Sequence, residues 1–440
     1  MQTCFLGYCT PEQRGLCRHK SSNHGIAASK RRHTSSDPKG YEVMVFVHGG
    51  GFEFGSGNYD FKVIAENFVS RGIVFVSFSY RVGPFGFFST GDAAAPGNNG
   101  LRDQTVALRF VKRAVASFGG NREKITLAGQ SAGSMSITAL SLSPHSRDLF
   151  HQTIMMSGSL FAPAIYSDQV VSHSLLLAKA VGCDVSASSA LILECVKAQN
   201  ISRFYDVLPG LDPLTDEVME SRFHPRIDRR FLSAKPKTLL KSAEPKPTII
   251  GIVDTEAGPF TMVNDRSMPV AIHESEREIF GRKELEKILR LLSGKSERFF
   301  ALLVDFYIDR FSANTTRDAA FFLTQLTQLS SDLTFNIPVV QEARAKLEAN
   351  WPVYVYLVEN VDTEHVDVPI RGTFHNTDLT YLFKKVASTA FQQAMIEGFV
   401  TFVKSGGTFH NTDLTYLFKK VVSTAFQQAM IEGFVTFVKS

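Results

Sequence analysis

One serine and a run of glycines offer the clearest chemistry in this chain of 440 residues. Ser131 stands between Gly129 and Gly133 in Gly-Gln-Ser-Ala-Gly, a spacing that holds a serine at the tip of a sharp strand-to-helix turn. His48 begins a second run, His-Gly-Gly-Gly-Phe, whose backbone N–H groups can stabilise a developing negative charge on oxygen. Together the two runs predict nucleophilic attack by Ser131 on a carbonyl group. The alternative is a pair of ordinary glycine-rich turns.

The sequence predicts a strand before each of these runs. Residues 41–47 are apolar and lead directly into the glycines, and residues 124–129 are apolar and β-branched and lead to Ser131. The predicted strands are 41–47, 73–80, 124–129, 152–157, 247–253 and 353–358. The predicted helices are 101–118, 283–293, 298–311 and 317–334. Alternation of this kind is typical of a parallel sheet with helices on both faces.

Several motifs occur in the order that is typical of one family. The motifs are His48–Phe52, Ser79–Phe88, Pro96–Gln104, Phe118–Gly120, Gly129–Gly133 and Ser157–Ser159. From about Lys39 to Ser405 the chain resembles the type-B carboxylesterases, a family of the α/β-hydrolase fold that includes the cholinesterases. The resemblance implies an α/β-hydrolase with a mostly parallel central sheet. It also implies serine carboxylesterase activity on a small-molecule ester, through an acyl-enzyme, with no cofactor and no metal.

A serine nucleophile needs a base and an acid that orients the base. In α/β-hydrolases these follow in the order serine, acid, histidine, and the chain offers Ser131, Glu256 and His375 at separations close to those of the family. Glu256 follows a predicted buried strand in a stretch that resembles the family's glutamate motif. Asp254 is its nearby rival.

His375 lies in a stretch that resembles the family's histidine loop, with an aspartate three residues later. His365 follows the same strand but lacks the motif. His410 has the same flanking residues as His375, and we favour His375 because it keeps the family spacing from strand 353–358. The resemblance assigns the oxyanion hole to the N–H groups of Gly50, Gly51 and Ala132, and lets Ser157 support the acid.

Two features separate this chain from the choline esterases. Gln130 is neutral at the position beside the nucleophile where cholinesterase-like members carry glutamate. Trp351 is the one tryptophan of the chain, and it lies far from the N-terminal loop that carries the choline-stacking ring in that group. We therefore predict a general carboxylesterase.

Two other interpretations remain open. One is a non-catalytic adhesion or binding protein of the same superfamily, although such relatives usually lack a triad member. The other is an inactive truncated fragment with its site residues intact. Composition favours neither: 44% hydrophobic and 20% charged residues are ordinary globular values. The net charge of +4 gives no reason to expect nucleic acid, and no apolar run is long enough for a membrane span. The oligomeric state is not indicated.

Cysteines and glycosylation sequons point to an oxidising compartment. By resemblance, Cys183 and Cys195 pair in the family's second disulfide, with two buried thiols as the alternative. Asn200 and Asn314 begin glycosylation sequons. The resemblance implies secretion or residence in the lumen of the endoplasmic reticulum, whereas the first residues show no recognisable signal peptide.

The two ends of the sequence depart from the family. Residues 1–39 are polar and basic, which predicts an irregular leader before a carboxylesterase-like domain at 40–407. The family's antiparallel N-terminal edge strands are therefore expected to be missing, which would expose the apolar strand 73–80 and destabilise the protein. Residues 408–440 are a near-identical duplicate of 373–405: Val422 in place of Ala387 is the single difference.

Overall fold

The computed structural model describes residues 2–5, 19–21, 24–30, 40–211, 221–264, 270–359, 369–383 and 390–407. The strands in these ranges are β1 (Gln2–Phe5), β2 (His19–Ser21), β3 (His24–Lys30), β4 (Tyr41–Val47), β5 (Ile73–Phe78), β6 (Gly120–Gln130), β7 (Gln152–Met156), β8 (Thr248–Val253) and β9 (Val353–Val358). The α-helices in these ranges are α1 (Phe61–Asn67), α2 (Gly83–Phe87), α3 (Asn99–Ala114), α4 (Ala132–Leu142), α5 (Gln169–Ala180), α6 (Ser189–Ala198), α7 (Ile201–Val207), α8 (Pro236–Leu240), α9 (Gly258–Thr261), α10 (Glu274–Arg277), α11 (Arg282–Ser293), α12 (Glu297–Val304), α13 (Ala319–Ser331), α14 (Ile337–Glu348), α15 (Thr377–Phe383) and α16 (Ala390–Lys404).

The strands form one mostly parallel sheet in the order β1-β3-β5-β4-β6-β7-β8-β9, with β2 paired to β3. From β5 to β9 every neighbouring pair is parallel. Helices cover both faces, so the predicted α/β-hydrolase fold is confirmed. Strand β4 is apolar throughout because it is buried on both faces. Val43, Val45 and Val47 pack against α3 and α4, whereas Met44 and Phe46 pack against α15 and α16.

The expectation that the N-terminal edge strands are missing is wrong. Strand β3 pairs antiparallel with β5, with Ile26 opposite Phe78 and Ser29 opposite Phe75, and β1 and β2 extend the sheet beyond β3. The stretch predicted to be an irregular leader therefore contains three strands, and β5 is paired on both sides. Without β3, the N–H and C=O groups on the outer edge of β5 would be unpaired, and such an edge readily pairs with a nearby extended segment. The sequence did not predict this strand, because the small and polar residues of His24–Lys30 show no apolar alternation.

A disulfide joins Cys183 to Cys195 across the start of α6, as the resemblance implied. No helix in the described part of the chain is long and apolar enough to cross a membrane. Residues 373–405 supply α15 and α16, while the duplicate at 408–440 lies outside the described residues. The predicted domain boundaries at 40 and 407 stay predictions.

The segment 221–232 is held against the glycine run that follows β4. The Ser221 hydroxyl donates to the Gly51 carbonyl, and the Arg222 N–H donates to Glu53 Oε1 over 2.7 Å. Next to them His224 is buried, its Nδ1 contacts the Pro225 carbonyl over 2.8 Å, and burial lowers the pKa of its imidazole to about 4. A positive charge on His224 is therefore unfavourable in this packing.

The fold should lose stability as acid protonates His224. The unfolded chain takes up this proton near pH 6.5 and the folded chain only near pH 4, so the contribution is present above pH 6.5 and is lost as the pH falls towards 4. Between pH 7.5 and pH 5 we expect the free energy of unfolding to fall by about 2 kcal/mol through this group. Urea denaturation at both pH values measures the loss. In a His224→Gln variant the free energy of unfolding should fall less between the two pH values, by about that amount. An equal fall in the two proteins would contradict the assignment.

Candidate active site

Ser131 occupies a strained turn between β6 and α4. Its backbone angles are φ 56° and ψ −126°, which a residue with a side chain rarely adopts. The turn is fixed from several sides: the Ser131 N–H donates to the Met156 carbonyl over 2.8 Å, and a Cβ on Gly133 would stand 2.1 Å from the Val47 carbonyl oxygen. Glycine at 133 therefore lets α4 begin in contact with β4, and this contact orients the serine.

His375 and Glu256 form a buried pair at the same edge of the sheet. The His375 Nδ1–H donates to Glu256 Oε2 over 2.6 Å, and both side chains are almost fully inaccessible to solvent. The second carboxylate oxygen of Glu256 accepts the Val253 N–H over 3.0 Å. The rival acid Asp254 instead accepts the Thr373 N–H over 2.6 Å. Glu256, rather than Asp254, thus orients the imidazole.

Gln130 connects this pair to the turn that carries Ser131. Its Nε2 lies 3.1 Å from Nε2 of His375. With a proton on Nδ1 facing Glu256, Nε2 is the ring nitrogen that accepts from the Gln130 amide. Within the described residues, the Ser131 hydroxyl itself makes no hydrogen bond to His375. The sequence suggested only that Gln130 is neutral; its adjacency to Ser131 was the signal for this contact.

Two phenylalanines enclose the imidazole, and sequence reasoning missed both. The Phe335 ring centre lies 4.6 Å from that of His375, and the Phe260 ring centre lies at 5.4 Å. Phe335 comes from a π-helical turn, Asp332–Asn336, that continues α13. These rings keep water from the imidazole, which strengthens its bond to Glu256.

The glycine run after β4 lies directly against the serine turn. A Cβ on Gly49 would stand 2.9 Å from Ser131 Cβ, and Gly50 and Gly51 adopt φ values of 109° and 58°. In the part of the chain that the structure describes, the N–H groups of Gly50, Gly51 and Ala132 have no hydrogen-bond acceptor. Unpaired donors beside a serine are what an oxyanion hole requires.

The resemblance suggested that Ser157 contacts Glu256. In the structure Ser157 instead contacts a second buried carboxylate, that of Asp378. Its hydroxyl donates to Asp378 Oδ2 over 3.4 Å, and the Tyr356 hydroxyl approaches the same oxygen at 3.3 Å. Burial, together with the neighbouring negative charge of Glu256, raises the pKa of Asp378 to about 6. Ser157 therefore belongs to the surroundings of the histidine loop.

The remaining predicted positions are accounted for as follows. Asn200 and Asn314 are exposed, as acceptors of glycans must be. His365 and His410 lie outside the described residues. Among the described residues, no three His, Cys, Asp or Glu side chains are grouped as metal ligands.

Comparison with known proteins identifies the family. The model of the carboxylesterase family matches residues 26–432. Gut esterase 1 of Caenorhabditis elegans is 29% identical over 92% of this chain and 76% of its own length, and gut esterase 1 of Caenorhabditis briggsae is 30% identical over 92% and 75%. The cocaine esterase of Homo sapiens is 31% identical over 78% of this chain and 58% of its own length.

The close packing at Gly133 can be tested by adding one methyl group. In Gly133→Ala the new Cβ meets the Val47 carbonyl at 2.1 Å, so either β4 or the start of α4 must shift. We expect the free energy of unfolding, measured by urea denaturation, to fall by about 1–3 kcal/mol. Gly210→Ala is the matched control, because a Cβ there meets nothing within 4 Å. Equal stability of the two variants would contradict the packing argument.

Proposed function

We propose that this chain, which belongs to the carboxylesterase family, hydrolyses carboxylic esters through an acyl-enzyme formed on Ser131. The observation that carries the proposal is the buried His375–Glu256 pair, joined at 2.6 Å beside the strained serine turn. A neutral imidazole whose Nδ1–H is held by a carboxylate has its Nε2 lone pair free to accept a proton.

In the first half of the reaction, the Ser131 hydroxyl attacks the ester carbonyl carbon while its proton moves to Nε2 of His375. Glu256 stabilises the imidazolium that results. The carbonyl oxygen becomes an oxyanion, and the N–H groups of Gly50, Gly51 and Ala132 donate to it. The tetrahedral intermediate then expels the alcohol, which takes the proton from His375 as it leaves.

In the second half, water replaces the alcohol. His375 Nε2 removes a proton from the water as its oxygen attacks the acyl carbon of the Ser131 ester. The same three N–H groups stabilise the second oxyanion. Collapse of this intermediate releases the carboxylic acid and returns the proton to Ser131.

The Gln130–His375 hydrogen bond must break during this cycle, because the single lone pair on Nε2 cannot accept from Gln130 and take the Ser131 proton at the same time. A hydrogen bond between neutral groups contributes about 1 kcal/mol net, which is small beside the barrier that an esterase lowers. Hydrogen bonds in a free active site often tighten only when substrate is bound, and we propose that the Ser131–His375 bond forms at that stage.

The groups around the site favour neutral esters over choline esters. Gln130 adds no negative charge beside the nucleophile. Trp351 is buried against Lys346, whose Nζ lies 5.1 Å from the indole ring, so no tryptophan is free to stack on a quaternary ammonium group. The relatives include esterases and lipases named for different substrates, so the acyl and alcohol groups are not fixed by the family.

We also propose that the protein works in an oxidising compartment, either secreted or in the lumen of the endoplasmic reticulum. The Cys183–Cys195 disulfide persists only where thiols are not kept reduced. The exposed asparagines of both sequons are accessible to glycosylation there.

Covalent labelling tests the nucleophile. A fluorophosphonate should label the wild-type protein on Ser131, and Ser131→Ala should abolish the label and lower kcat/KM for a neutral ester by roughly 10⁴-fold or more. Glu256→Gln should lower kcat/KM to a similar degree, because the ring loses its orienting charge. Exposed Ser233 provides the control: Ser233→Ala should label and turn over as wild type. Labelling that persists in Ser131→Ala would exclude the mechanism.

A matched pair of substrates tests the specificity. With a neutral ester and a choline ester of the same acyl group, kcat/KM should be higher for the neutral ester. Gln130→Glu should narrow the difference by adding a negative charge beside the nucleophile. Faster hydrolysis of the choline ester by the wild-type protein would show that another group binds the cation.

A further inference from the structure

The Gly51 N–H, one of the predicted oxyanion donors, belongs to a peptide unit that is held at its other end. This unit contains the Gly50 carbonyl, which accepts the N–H groups of Glu53 over 3.0 Å and of Phe54 over 3.1 Å. The N–H and C=O groups of a trans peptide unit lie in one plane and point in opposite directions. The bonds from Glu53 and Phe54 therefore fix the direction in which the Gly51 N–H points.

Glu53 is held in turn by its side chain. Its Oε1 accepts the backbone N–H of Arg222 over 2.7 Å, whereas Nε of the Arg222 guanidinium lies 3.8 Å from the same oxygen. The side chains of Arg222 and Glu53 are 29% and 28% exposed, and a long ion pair near the surface contributes little. The short bond to the backbone N–H is thus the contact that holds the Glu53 side chain in place.

Ser221 fastens the same turn at the next carbonyl. Its hydroxyl donates to the Gly51 carbonyl. Gly51 has a φ of 58°, which glycine adopts without strain, but glycine also has the widest choice of other backbone conformations. The bond from Ser221 restricts this choice, because it holds the peptide unit that follows Gly51.

The segment 221–226, which carries both contacts, is anchored at its far end. The Asn98 side chain, directly before α3, donates to the Arg226 carbonyl over 2.8 Å and accepts the Arg226 N–H over 2.9 Å. The Arg226 side chain is 8% exposed, and it donates to Oδ1 of Asp168, directly before α5, from Nε over 2.9 Å and from Nη2 over 2.6 Å. A segment held at these points can support the glycine run from outside the sheet.

We propose, on the basis of the ester hydrolysis proposed above, that Glu53 and Ser221 are positioning residues of the oxyanion hole. Glu53 holds the peptide unit of the Gly51 N–H at its carbonyl end, and Ser221 holds the next peptide unit. Donors that are fixed before the reaction stabilise an oxyanion without having to reorganise. Loosening the turn therefore weakens stabilisation of the oxyanion more than binding of the ester in its ground state.

Two variants of Glu53 separate its hydrogen bond from its charge. Leucine removes the acceptor for the Arg222 N–H, whereas glutamine keeps a side-chain oxygen that can accept it. With a neutral ester, Glu53→Leu should lower kcat by about 10- to 100-fold and leave KM within about twofold, because donors are misplaced while ground-state binding is kept. Glu53→Gln should restore most of kcat.

The matched control for Glu53→Leu is Glu278→Leu, which changes an exposed glutamate and should behave as wild type. Wild-type kcat in Glu53→Leu would overturn the positioning role. A loss in Glu53→Gln as large as that in Glu53→Leu would also overturn it, because the bond would then not be the cause.

Ser221→Ala removes the bond to the Gly51 carbonyl. It should lower kcat by about tenfold, and Ser233→Ala, at an exposed serine, should not. Because Glu53 and Ser221 fix one turn, the double variant of Glu53→Leu and Ser221→Ala should lose less than the product of the two single losses. Wild-type kcat in Ser221→Ala, or losses that multiply in the double variant, would overturn the shared support of the turn.

A pair of ketones tests whether the oxyanion is what the variants fail to stabilise. With a trifluoromethyl ketone, Ser131 Oγ bonds to the carbonyl carbon, its proton moves to Nε2 of His375, and the carbonyl oxygen becomes an oxyanion. The methyl ketone of the same chain binds largely without this addition. In Glu53→Leu the inhibition constant of the trifluoromethyl ketone should rise by the factor by which kcat/KM falls, and that of the methyl ketone by less than about twofold. Equal rises for both ketones would overturn the proposal.

Hydrogen exchange tests the turn without any catalytic readout. The N–H groups of Glu53 and Phe54 donate to the Gly50 carbonyl, so mass spectrometry of peptides that cover 50–54 should show faster exchange in Glu53→Leu than in wild type or Glu278→Leu. Exchange within β4 should be unchanged. Equal exchange at 50–54 in all three proteins would overturn the positioning role and leave the esterase mechanism intact.

Failure of the proposed function has a different signature. Wild-type protein would then neither hydrolyse esters nor bind the trifluoromethyl ketone more tightly than the methyl ketone. Hydrogen exchange in Glu53→Leu would still decide whether the Glu53 side chain fixes the turn.

Discussion

The site depends on one buried hydrogen bond, the 2.6 Å contact between His375 and Glu256. It joins groups 119 positions apart in the chain. Both side chains are buried, so neither can bond water in place of its partner. The geometry holds because each partner is anchored by its backbone as well: the His375 N–H donates to the Glu256 carbonyl over 3.3 Å. A charge-assisted bond in a dry site is strong, but only a sheet that brings the ends of β8 and β9 together can form it.

Close backbone approach is the second constraint, and it explains where the glycines stand. The serine turn, the glycine run after β4 and the loop after β7 all meet within a few ångströms. A Cβ on Gly158 would lie 2.5 Å from the Ser131 carbonyl oxygen, and one on Gly49 would lie 2.7 Å from that of Gln130. Side chains at these positions would push the glycine run away from Ser131. The fold thus excludes side chains from the places where the proposed reaction needs bare peptide groups.

The sequence predicted the parallel sheet well because buried strands carry an unmistakable signal. The predicted 41–47 and 353–358 have the bounds of β4 and β9, and 73–80 exceeds β5 by two residues. The prediction failed at His24–Lys30, because this strand forms by pairing with the edge of β5 and its sequence has no apolar periodicity. Likewise, the motifs indicated Ser131, Glu256 and His375, but Phe335 reaches the imidazole through a π-helical turn, which no local pattern announces.

Two buried carboxylates lie near the imidazole, and their partners divide their roles. Glu256 faces Nδ1 of His375 and can stabilise a positive charge on the imidazole ring. Asp378 receives the Leu379 N–H at 2.8 Å and the neutral hydroxyls of Ser157 and Tyr356. Burial beside Glu256 raises its pKa to about 6, which makes Asp378 ready to take up a proton near neutral pH. Glu256 contacts the imidazole directly over 2.6 Å, so it acts on the charge of His375 more strongly than Asp378 does. Ser157 donates to Asp378 rather than to Glu256, so the resemblance alone assigned it to the wrong acid.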